Sequence, residues 1–131
     1  MEPKSKYSTT GLRRLFNATG YSYKGIRAAL ESEAAVRQEF MLSLILVPAA
    51  FFLAQTLSQL ILLLLSVLLV IVIELLNTSV EYAIDRIGTE HHELSGKAKD
   101  IASAAVFFGL VQFLMVWGLT LASRLGWIPF D

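Results

Sequence analysis

The sequence contains no cysteine, which excludes a disulfide framework and thiolate chemistry of any kind. It has no net charge either: 11 basic residues balance 11 acidic ones, so the balance makes no case for a nucleic-acid partner. Charged residues are scarce, at 17% against 55% hydrophobic, which is a poor composition for a soluble domain. There is no phosphate-binding loop. The stretch "ELSGKAKD" has Gly96 and Lys97 but lacks the upstream glycine and the hydroxyl after the lysine. A kinase-type glycine-rich loop is also missing. No cleavable signal peptide is visible, because the first long apolar run begins only near Phe40, behind a polar, charged stretch. The 131 residues suffice for one domain.

What the sequence does have is apolar length. Three runs reach membrane thickness, at about 40–57, 60–80 and 101–122. Pro48 sits inside the first and is expected to bend it. A soluble reading would need three buried helices with almost no surface to cover them, so the expected fold is an all-α membrane protein with three spans. Of the 11 basic residues, all but Arg124 lie before the first span or between the second and third. The positive-inside rule then puts the N-terminus and the second connection in the cytoplasm, with "GWIPFD" on the far side.

Ahead of the first span, about 12–34 has a helical period. Leu12, Leu15, Phe16, Thr19, Tyr23, Ile26, Leu30 and Ala34 fall within about 100° of arc. Arg13, Lys24, Arg27 and Glu31 lie on an adjoining face. The pattern suits either a helix lying in the membrane interface or one packed on another protein helix. Gly20 and Gly25 weaken it and allow a break there. Glu33 stands at the edge of the apolar stripe, either paired with Arg37 one turn on or free for another use.

The second run ends in an unexpected way. "VIELLNTSVEYAID" puts Glu74, Asn77, Glu81 and Asp85 on one helical stripe about 80° wide, flanked by Thr78. Glu74 falls about 14 residues into the span, roughly 21 Å deep in a core about 30 Å thick. Three uses compete: glue between helices, a proton or ion path, and a catalytic site reaching from lipid to water. Depth favours the third, because the stripe stops halfway: the half from Leu60 to Ile73 carries no charge, and Ser66 and Gln112 are thin material for a path. If the site is catalytic, Glu81 and Asn77 are hard oxygen ligands one turn apart. With Glu33 they suit Mg²⁺, an ion that often bridges phosphates. A nucleotide site would then be improvised from side chains such as Glu90, His91, His92, Lys99 and Asp100. Each also has a plainer reading. The histidines suit an ordinary surface loop and are poor zinc ligands, and Lys99 and Asp100 can simply mark the membrane boundary.

Four stretches together are recognisable: "TTGLRRLFNATGYSYKGIRAA" (9–29), "SEAAVRQE" (32–39), "IELLNTSVEYAIDRIG" (73–88) and "HELSGKAKDIASAAV" (92–106). They resemble the small bacterial integral-membrane diacylglycerol kinases over about 9–106; the third span is similar only in hydrophobic character. The resemblance implies a homotrimer of three-span protomers with an N-terminal amphipathic surface helix. It also implies a multi-pass protein of the bacterial inner membrane that phosphorylates diacylglycerol to phosphatidate, with MgATP as donor. By position, Glu74 would be the general base. Glu33 and Glu81 would hold Mg²⁺, with Asn77 close by. ATP would be lined by Arg14, Tyr21, Glu33, Glu81, Glu90, His91, His92, Lys99 and Asp100. The lipid would touch Arg14, Ala18, Thr19, Gly20, Tyr21, Ser22, Tyr23, Arg27, Ala28, Ala29, Leu30, Glu74 and Ser103. Two positions depart from the pattern: Tyr23 stands where tryptophan is common and His91 where tyrosine is common. The sister activity, undecaprenol phosphorylation, is the alternative. Those enzymes usually lack the "HELSG" form of the connection, so "DRIG" and "HELSG" here favour diacylglycerol. A non-enzymatic bundle or ion path is the alternative of a different class.

Overall fold

A computed structural model describes residues 10–129. Lys4 and Lys6, counted above for orientation, lie outside the described residues, as do the first residue of the 9–29 motif and the Phe130–Asp131 end. The fold is all-helical. It divides into two units, one ending at Ser32 and one beginning at Glu33.

The first unit is helix α1, Gly11–Ser32. It runs through Gly20 and Gly25 without the break their low helix propensity allows. Two hydroxyls bond back to the carbonyl one turn earlier: Thr19 Oγ1 donates to Leu15 O at 3.0 Å and Ser22 Oγ to Ala18 O at 2.9 Å. Arg27 Nε donates to Glu31 Oε1 at 2.9 Å, an exposed pair one turn apart. Leu12, Leu15, Phe16 and Tyr23, all on the periodic apolar face, remain exposed. Such a strongly one-sided helix with an open apolar face has the character of an interfacial helix.

The second unit is a bundle of three helices, each long and apolar enough to cross a membrane. These are α2 (Ala34–Leu53), α3 (Leu57–Ile87) and α4 (Glu93–Arg124). Pro48 lies inside α2 without ending it. The α2–α3 turn is closed by a reciprocal cap. Gln59 N donates to Thr56 Oγ1 at 3.2 Å, while Gln59 Oε1 accepts from Gln55 N at 2.8 Å. At the start of α4, His92 is the N-cap and its Nδ1 accepts from Leu94 N at 3.1 Å. Helix α4 ends at Gly126, whose φ of 72° is the left-handed conformation that favours glycine. There Trp127 N donates to Ala122 O at 2.9 Å and Gly126 N to Ser123 O at 3.0 Å, closing the orphan carbonyls.

Short connections make the three helices antiparallel neighbours. Helix α3 packs most extensively on α4, then on α2, while α2 and α4 barely touch. Its inward face, Leu63, Val67 and Val70, is buried together with Val36 and Ala50 of α2. Most large apolar side chains of the bundle, such as Leu44, Phe52, Phe107 and Leu114, stay exposed. In water that surface would be untenable; in a bilayer the lipid tails cover it. Burial between helices is therefore no driving force here, and close packing and hydrogen bonds must hold the bundle.

Two such devices join α3 to α4. At Gly109 the helices approach so closely that an added Cβ would stand 2.8 Å from Ile73 Cδ1. One to two turns further along, Gln112 Nε2 donates to Ser66 O at 3.1 Å and Trp117 Nε1 donates to Ser66 Oγ at 3.0 Å. Ser66 and Gln112, too thin for a conduction path, thus have a structural use.

Candidate active site

Antiparallel order collects the polar residues at one end. The start of α2, the last turns of α3 and the start of α4 all lie where Glu33, Glu81, Asp85, Glu90, His92 and Lys99 stand. Helix α3 explains how a stripe in one helix can serve two media. Its 31 residues extend about 46 Å, which overshoots a hydrocarbon core of about 30 Å, so its C-terminal turns project from the membrane. Glu74 stands about 20 Å from that end and is 8% exposed. Asn77 and Glu81 are half-buried and Asp85 is exposed, so access to water rises along the stripe.

Carboxylates converge around Glu74. Glu81, from the same helix, and Glu33, the N-cap residue of α2, both act electrostatically on its charge. The Glu33 side chain makes no capping bond to α2. Glu39 joins this group through its interaction with Glu74. It was not singled out from the sequence. The signal was present, as a carboxylate at the very edge of the first apolar run, but its partner is set by the α2–α3 packing. Two buried side-chain oxygens here, Glu39 Oε2 and Thr78 Oγ1, have no hydrogen-bond partner among the described residues.

Mg²⁺ is usually held by one or two carboxylates, with waters and substrate phosphates completing its shell. Among the described residues no three His, Asp or Glu side chains form a cage for a metal by themselves. Glu33 and Glu81, which both act electrostatically on Glu74, are oxygen donors of the kind that would suit an ion arriving with a polyphosphate.

The connection between α3 and α4 supplies the other predicted side chains. Lys99 Nζ donates to Asp85 Oδ1 at 2.9 Å and ties the two helices together. The Glu90 carboxylate folds back over Gly88, 3.1 Å from where a Cβ would stand. Glu90 and His92 line a hollow of about 290 Å³ with Ile84, Ile87 and Ser95. His92 uses Nδ1 for the helix cap. His91 and Asp100 are exposed, and Ser103 is exposed one turn beyond Asp100 on α4. The remaining predicted residues, Arg14, Ala18, Thr19, Gly20, Tyr21, Ser22, Tyr23, Arg27, Ala28, Ala29 and Leu30, form a group of their own on α1.

The family profile for prokaryotic diacylglycerol kinase matches residues 20–121, which contain the whole stripe and the α3–α4 connection. The chain belongs to the prokaryotic diacylglycerol kinase family. It is 53% identical over 112 residues to the diacylglycerol kinase of Haemophilus influenzae, covering 86% of this chain and 95% of that one. Over 119 residues it is 45% identical to the diacylglycerol kinase of Escherichia coli, covering 91% and 98% of the two chains. The diacylglycerol kinase of Pseudomonas aeruginosa is 41% identical over 121 residues, covering 92% and 98%. This membership makes the chain a bacterial membrane kinase that transfers phosphate to an alcohol acceptor. It also fits the stripe, since among the described residues Glu74, Asn77 and Glu81 take no part in the hydrogen bonds that join the helices.

Proposed function

We propose that the protein transfers the γ-phosphate of MgATP to the free hydroxyl of diacylglycerol, giving phosphatidate and ADP at the cytoplasmic face of the inner membrane. The observation that carries this reading is a buried carboxylate, Glu74, on a stripe that leads outward to Glu81 and a charged connection. A lipid hydroxyl lies just below the headgroups and a nucleotide comes from water, so a site that joins them needs this gradient of depth. Glu74 is the base that takes the acceptor's proton. The acceptor oxygen forms a bond to the γ-phosphorus, and the bond from that phosphorus to the β,γ-bridging oxygen breaks, leaving its electron pair on ADP. When bound, Mg²⁺ neutralises charge on the β- and γ-phosphates. Glu33 and Glu81 would hold it, with Asn77 near. Arg14, Tyr21, Glu90, His91, His92, Lys99 and Asp100 line ATP. The α1 residues named above and Ser103 face the lipid.

The surface helix and three spans work as a single membrane-kinase domain, 1–131, in a homotrimer with its N-terminus in the cytoplasm. Positioning and charge neutralisation provide most of the rate in such chemistry. The decisive experiment offers diacylglycerol and a polyprenol side by side in mixed micelles with MgATP. Phosphate appearing on diacylglycerol supports the reading; transfer confined to the polyprenol replaces it. A protein that conducts ions in liposomes and turns over no ATP with any lipid alcohol overturns it.

A further inference from the structure

Hydroxyl groups in these spans usually find a carbonyl on their own helix. Ser66 Oγ donates to Leu63 O at 2.7 Å, Ser79 Oγ to Leu76 O at 2.8 Å, and Thr120 Oγ1 to Val116 O at 2.7 Å. Among the buried hydroxyls described, Thr78 is the exception. It is 4% exposed, yet among the described residues its Oγ1 has no partner, although its neighbour Ser79 makes the ordinary back-bond on the same turn. A buried hydroxyl without a hydrogen bond is unfavourable, and more so the further it lies from water. Its place on α3 gives a reason. Thr78 is one turn above Glu74, about 6 Å along the axis, and about 4.5 Å below Glu81. Its direction lies about 40° round the helix from Glu74 and about 60° from Glu81.

Both neighbours are carboxylates, which as anions only accept hydrogen bonds. A phosphoryl group moving between them carries negative oxygens and needs donors. Thr78 and Asn77 are the neutral donors of the stripe, and Thr78 is the one whose donor is buried and unspent. Resting on the function proposed above, we propose that Thr78 is a further catalytic residue, whose Oγ1–H donates to an oxygen of the phosphoryl group in transit. The arrangement resembles other fixed donors aimed at developing charge in a dry site.

The test uses Thr78→Val, which keeps the shape and removes the hydroxyl, and Thr78→Ser, which keeps the hydroxyl. Turnover, KM for MgATP and for diacylglycerol, thermal unfolding and oligomer stability are measured on the full chain in mixed micelles. Thr78→Val should fold at least as stably as wild type, since removing an unpaired hydroxyl relieves a desolvation cost. Its kcat should fall roughly 100-fold with both KM values near wild type, and Thr78→Ser should recover most of the loss. An active wild type with an equally active Thr78→Val overturns this assignment alone. So does a Thr78→Val whose loss of activity follows a loss of assembled oligomer, because the hydroxyl then bonds a second copy. Absence of transfer by the wild type overturns the proposed function and this assignment together.

Discussion

At the scale of single residues, the proposed mechanism separates a buried proton acceptor, Glu74, from a metal ligand nearer the water, Glu81. Glu74 and Glu81 are spaced by seven, two turns apart on one face, so they share a direction but not a medium. Glu74→Gln keeps the shape and removes the base. It should lower turnover by roughly 10²–10⁴-fold while leaving MgATP affinity near wild type. Glu81→Gln should act on the other side of the reaction, raising KM for both metal and nucleotide. Nucleotide binding, turnover and oligomer stability measured on the two variants separate these roles. If both merely loosen the assembly, the stripe is helix glue; full activity in Glu74→Gln removes the base from the mechanism.

At the scale of elements, the bundle is held by contacts that owe nothing to burial from water. Gln112 and Trp117 both bond to Ser66, and so fix α3 against α4 midway along their length. Interhelical hydrogen bonds in membranes contribute about 0.6 kcal/mol on average and up to about 1.7. Gln112→Leu should therefore lower stability by about that much in a detergent unfolding titration, with MgATP affinity little changed. Gly109 offers a graded test of the close approach. The atom facing it is the mobile end of Ile73, so Gly109→Ala should be accommodated by a small shift. Gly109→Phe cannot be accommodated in that way and should destabilise the α3–α4 pair by about 1–3 kcal/mol.

At the scale of the whole molecule, the proposed orientation rests on charge and the chain offers a clean test of it. There is no native cysteine, so a single introduced thiol reports one position without background. Thr89 is exposed in the α3–α4 connection. Thr89→Cys in sealed inner-membrane vesicles should react with an impermeant maleimide only from the cytoplasmic face. Labelling from the opposite face alone would invert the topology and detach the site from its source of ATP. The exposed apolar bundle surface also predicts that the protein withstands detergent exchange only while a lipid-like shell is kept around it.

Much of this was fixed by the sequence alone, because a bilayer is a simple solvent. Spans must be helical and of a set length, so three apolar runs sufficed to determine the fold class. A helix also has a known period, so the common face of Glu74, Asn77, Glu81 and Asp85 is legible in the sequence, as is the apolar face of α1. Tertiary structure decided what periodicity within one helix cannot express. The like-charge interaction between Glu39 and Glu74 depends on how α2 lies against α3. The Asp85–Lys99 pair and the Ser66–Gln112–Trp117 clasp depend on the register between α3 and α4. That register is set by van der Waals packing at points such as Gly109 and Ile73, where side chains far apart in sequence meet, and no single-helix pattern carries it.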